Sequence, residues 1–102
     1  MSRLEFDVRL LRTAEDDLTE IVAYIAADRP TSAEAVATKI ERNLALLSKN
    51  PQLGRIPKEE DLARLGYRYL VVDDYLIFYT IEQETIYVYR ILHGARDYLR
   101  LF

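Results

Sequence analysis

The sequence predicts an α+β fold of order β-α-α-β-β-β, in which a helical hairpin packs on one face of a four-stranded, mainly antiparallel sheet. Three observations carry that prediction. An opening run alternates apolar and charged residues, two central runs place apolar residues every three or four positions, and three short runs rich in tyrosine follow. A period of two marks a half-buried strand, and a period near 3.6 marks an amphipathic helix.

The first strand covers residues 4–10, where Leu4, Phe6, Val8 and Leu10 alternate with Glu5, Asp7 and Arg9. Thr13 then fits a helix N-cap, with Asp16 in the place of a capping box. Ala14, Leu18, Ile21, Val22 and Ile25 share one face of this helix. Asp28, Arg29 and Pro30 end it, because the residue before a proline resists the α conformation. Thr31 opens a second helix with Glu34 three residues on, and Val36, Ile40, Leu44 and Leu47 form its stripe beside Ala33 and Ala37. Asn50 and Pro51 close it, and the short link between the helices implies an antiparallel pair.

Residues 51–66 contain two prolines, two glycines and the acids Glu59, Glu60 and Asp61, and they read as a loop. Strands follow at 67–72, 75–81 and 85–92, separated by Asp73 and Asp74 and by residues 82–84, links short enough for hairpins. Gly94 interrupts the last strand, and residues 95–102 form a tail. Ile77, Tyr79 and Ile81 point to one face of the sheet, and Leu76 and Phe78 to the other. One face packs on the helices. The other stays available for docking unless something covers it.

A chain of 102 residues fits one domain, with no sign of a second along residues 1–102. Half of the residues are hydrophobic, enough for one core. At this size roughly 65% of the unfolded surface is buried on folding, so a standing partner would help stability. The absence of cysteine excludes disulfides, thiolate-ligated zinc and thiol catalysis, and no metal or cofactor is called for. No apolar run approaches the ~18 residues of a membrane span. The opening residues lack the apolar core of a signal peptide, so a soluble, cytoplasmic protein is expected. The net charge is −3, with 17 acids against 14 bases. That balance argues against nucleic acid as the main ligand and for a protein partner.

Several pieces, placed on this frame, resemble the RelE/ParE superfamily of bacterial type II toxins. They are residues 14–21 with Tyr24 and Ile25, Asn50-Pro51 followed by Gly54-Arg55, Gly66-Tyr67-Arg68, Ile77-Phe78-Tyr79, and residues 90–98 from Arg90 through His93, Gly94, Arg96 and Asp97 to Tyr98. The resemblance runs nearly end to end and implies a toxin neutralised by a cognate antitoxin, with DNA met only through the antitoxin. Two mechanisms share the fold. RelE-like members cut messenger RNA in the ribosomal A site. ParE-like members inhibit DNA gyrase without known chemistry of their own, and the family serves plasmid stabilization. A third reading keeps the fold without toxicity, as a degenerate partner that acts only in an antitoxin-repressor complex.

Only a site can choose between these roles. RNA cleavage by 2′-hydroxyl attack needs a base, an acid and cations around the phosphate. If the chain is RelE-like, Arg68, His93, Arg96 and Tyr98 are the catalytic candidates. His93, the single histidine, suits proton transfer near neutral pH, or it closes the last strand with a hydrogen bond. Arg96 serves a site, or pairs with Asp97. RelE-like nucleases resemble one another in an arginine early in the third strand, where this chain has Leu76, and the strand before offers only Arg68. The phosphate clamp is therefore thin, which favours the ParE-like role. Arg55, Arg68, Tyr69, Tyr79, Tyr89, Arg90, His93 and Arg96 are the candidates for antitoxin or target contact. Six of the eight tyrosines lie between Tyr67 and Tyr89 and suit a surface that is sometimes covered. An antitoxin helix crossing the helical hairpin is the other arrangement the resemblance implies, with Leu53 or Ile56 contributing. Arg90, in an otherwise apolar strand, either emerges at an open face or pairs with a carboxylate.

Overall fold

The computed structural model describes residues 5–94 and 100. Its elements are β1 (Asp7–Leu10), α1 (Arg12–Ala26), α2 (Pro30–Lys49), α3 (Glu60–Arg64), β2 (Arg68–Val72), β3 (Tyr75–Glu82) and β4 (Thr85–His93). The strands run in the order β1-β4-β3-β2. β1 lies parallel to β4, and the other two pairings are antiparallel. The predicted architecture therefore holds, with β4 at the centre beside the N-terminal strand.

The core lies between the sheet and the helical hairpin. Ala14 of α1 and Ile40 and Leu47 of α2 meet Leu70, Val72, Ile77, Tyr79, Ile86, Val88 and Ile91 of the sheet. These are the positions that periods of 3.6 and two assign to facing surfaces.

Residues 51–66 are not wholly loop. Glu60–Arg64 form α3, and its buried Leu62 packs on Phe78 and Leu92, with Tyr67, Tyr69 and Leu76 around them. The sheet face turned away from the hairpin is thus partly covered, where the sequence alone leaves it open. α3 ends with Gly66 at φ 88°. The Gly66 N–H donates to Ala63 O and the Tyr67 N–H to Leu62 O, the two bonds of a glycine-terminated helix end.

The helix starts also differ from expectation. α1 begins at Arg12, and Leu11 in the N-cap place offers no side-chain bond. The Thr13 hydroxyl instead donates to Tyr89 O at 2.8 Å, so a tertiary bond displaces the capping box. α2 begins at Pro30 itself, where a missing N–H is harmless and φ is already helical.

Two hairpin turns place non-glycine residues in the left-handed region, Asp73 at φ 53° and Gln83 at φ 56°. That backbone costs an L-residue about 1–2 kcal/mol, and glycine's freedom in the unfolded chain costs about 0.5–1 kcal/mol. Gln83→Gly is therefore expected to stabilise by up to about 1 kcal/mol. The check is a higher urea midpoint with an unchanged slope.

Candidate functional site

The segment after α2 is clipped to the sheet by one tyrosine. Tyr79 is fully buried, and its hydroxyl donates to Pro51 O at 2.7 Å while accepting from the Gly54 N–H at 2.9 Å. Burial holds this phenol above its ordinary pKa, against the opposing pull of the Gly54 N–H and the Arg68 guanidinium. Arg68 Nη1 donates to Gly54 O at 3.0 Å. Arg55 and Tyr69 then exchange both backbone bonds, at 2.7 and 2.9 Å, so this segment borders β2 as a one-residue strand.

That pairing stops short. Tyr69 spends its N–H and C=O outward on Arg55, and backbone groups two residues apart on a strand point the same way. Val71 therefore aims its N–H and C=O outward too, past the end of the bridge. Beside this open edge lies a groove of about 330 Å³ lined by Leu46, Leu53, Tyr69, Leu70 and Val71, with Asn43 and Arg55 at its margin. Leu46, Leu53 and Val71 are each nearly half exposed, and Ile56 follows the bridge at 62% exposure. A free strand edge flanked by exposed aliphatic side chains is built to receive an extended segment.

A second constellation ties α1 to β4. β1 ends opposite Val88, so the rest of β4 has no strand on that side. The register of β4 against β3 skips Tyr89, a bulge that re-aims its neighbours. Arg90 turns to Asp17, donating from Nε and Nη2 at 2.8 Å each, and the Ile91 N–H donates to the same carboxylate at 2.9 Å. The side chains are 19% and 8% exposed. The bond to Asp17 raises the Arg90 pKa against the opposing effect of burial, with Asp17 and Glu20 adding attraction.

The predicted site residues separate accordingly. Tyr79 is a core residue and offers no surface, because its ring fills the space under the hairpin. Arg90 takes the carboxylate-paired alternative and is bound inside the fold. Tyr89 is half-buried, its ring edge-on to Tyr67 at 5.1 Å, and Tyr69 stacks obliquely on Phe78 at 5.9 Å. Arg55 is exposed beside the open edge. His93 is exposed at the other end of the sheet, its ring edge-on to Tyr75 at 5.6 Å. Arg68 pairs with Tyr79 and His93 with Tyr75, four positions apart along β3 and on opposite sides of it. That is roughly 13 Å along the strands and about 10 Å across them. Arg68 and His93 are not brought together. Arg96, Asp97 and Tyr98 lie outside the described residues. Among the described residues no group of three or more His, Asp or Glu side chains is placed to hold a metal ion, and no helix is long and apolar enough to cross a membrane.

Sequence reasoning missed Leu46 and Val71. A signal existed for Leu46, which is apolar yet stands off the stripe of Ile40, Leu44 and Leu47. Val71 gave none, because strand propensity alone accounts for it.

A family model for the ParE toxin of type II toxin-antitoxin system, parDE, matches residues 8–98. A chain in the structure of the chromosomal ParDE TA system from P. aeruginosa is similar with a TM-score of 0.73 at 19% identity, over 87% of this chain and 96% of that one. A chain of the toxin-antitoxin complex RelBE2 from Mycobacterium tuberculosis is similar with a TM-score of 0.63 at 26% identity, over 93% of this chain and 98% of that one. No curated protein gives a significant sequence match.

Proposed function

Since the chain belongs to the family of ParE toxins of type II toxin-antitoxin systems, we propose that it acts by binding: it inhibits DNA gyrase in the cytoplasm and is silenced by a cognate antitoxin. The observation that carries binding over RNA cleavage is the separation of Arg68 from His93 across and along the sheet. A base and a phosphate-holding cation must approach one phosphate to within hydrogen-bond reach, and these two do not. Leu76 in place of a cation early in β3 supports the same choice.

The antitoxin docks on the open edge of β2, over Leu46, Leu53 and Val71. Purified chain is expected to block gyrase supercoiling, with activity restored by the antitoxin encoded beside it. Unimpaired supercoiling at saturating chain, together with cleavage of message on stalled ribosomes, would replace this reading with the nuclease one. Normal growth on induction without antitoxin would point to the non-toxic partner. Leu53→Asp places a charge in the apolar groove and is expected to weaken antitoxin binding at least about tenfold. Calorimetric titration reads that loss, and the melting temperature should move little because Leu53 is nearly half exposed and stands outside both buried clusters.

A further inference from the structure

A second groove lies at the end of the molecule where the tip of the helical hairpin faces the β2–β3 turn. Its volume is about 900 Å³. Ile25 of α1, Val36 of α2, Tyr24 and Tyr75 are among the residues that line it. Tyr24 is 83% exposed, a large aromatic ring held in water. The Lys39–Asp73 ion pair at 2.6 Å lies between this groove and the one beside β2.

The rim is acidic. Asp28, Asp73 and Asp74 border the groove against one lining cation, Arg29, which sits 3.6 Å from Asp28. Asp74 makes no ion pair among the described residues. The C-terminus of α1 and the N-terminus of α2 both lie at this end, so their partial charges oppose each other and the side chains decide the field. Burial raises the Tyr75 phenol first, and the nearby Asp74, Asp73 and Tyr24 add to it.

We propose that this groove takes an arginine flanked by an aliphatic residue on a peptide segment of a partner protein. The guanidinium stacks on the Tyr24 and Tyr75 rings and pairs with Asp74, and the aliphatic neighbour settles on Ile25 and Val36. Aromatic faces and carboxylates attract a cation together, and a weakly hydrated planar guanidinium loses less on leaving water than an ammonium does. The proposal is independent of the antitoxin site on the β2 edge, because it uses none of that edge.

The test is an NMR titration of the isotope-labelled chain with a capped leucine-arginine-leucine peptide, beside peptides with glutamine or glutamate at the centre. Saturable shifts at the amides of Tyr24, Ser32, Asp74 and Tyr75 are expected, with the glutamine peptide bound at least about threefold more weakly and the glutamate peptide not at all. Tyr24→Ala and Asp74→Asn, both exposed changes that leave the core intact, should each reduce affinity about threefold. Equal binding of the glutamine peptide, shifts centred elsewhere, or none at all would overturn the proposal.

Discussion

Asp17→Ala is expected to lose about 3 kcal/mol of folding stability, the low end of the cost of orphaning one partner of a buried ion pair. The low end applies because Arg90 keeps 19% of its side chain in water. Removing the carboxylate breaks three hydrogen bonds, those from Nε and Nη2 of Arg90 and from the backbone N–H of Ile91. Arg90→Met should cost at least as much, since it leaves the Asp17 carboxylate, 8% exposed, buried without its guanidinium. For a chain of this size the alanine variant should melt roughly 12 °C lower or more. A loss under about 1 kcal/mol in urea would show the pair to behave like an exposed one.

Gly54→Ala should destabilise by about 1–3 kcal/mol through overpacking. A Cβ there would lie 2.6 Å from the Tyr79 hydroxyl and 2.8 Å from Tyr69 O, and the second neighbour is backbone that cannot swing aside. Tyr79→Phe should cost a similar about 1–3 kcal/mol, because the Gly54 N–H and Pro51 O both lose their partner. The two changes strike one contact, so the double variant should lose less than the sum of the singles. Strict additivity in denaturant titrations would argue that the clip is not a unit.

The elements with a local period were legible from sequence alone. Strand alternation and helix stripes locate β2 to β4 and both long helices within a residue or two, because burial of one face writes its period into the chain. The first strand, expected from residue 4, instead begins at Asp7. α3 has five residues and a single buried anchor, Leu62, so no period can form. Its one usable signal was Gly66, a glycine in the place where helices end. Thr13 satisfied the local grammar of a cap, yet its hydroxyl is claimed by Tyr89 from the far end of the chain. The candidate site was less legible for the same reason. A charge in the apolar β4 announces that Arg90 needs a solution, but not that Asp17 supplies it. Tyrosine in a strand reads as a docking residue or as core, and Tyr79 proved core through a loop bond no periodicity encodes. The open edge of β2 depends on how far the Arg55 segment reaches, which only three-dimensional pairing decides.

The clasps between α1 and β4 join residues 73 and 76 positions apart, and β4 is flanked by strands on both sides. During synthesis the helical hairpin can form early, whereas the strand on which everything else aligns leaves the ribosome late. Loop-closure entropy must be overcome at that last stage. A translation product cut short ahead of Thr85 would hold the helical hairpin and the β2–β3 hairpin but not the strand that joins β1 to β3, so the domain becomes a folded object only once β4 has been made.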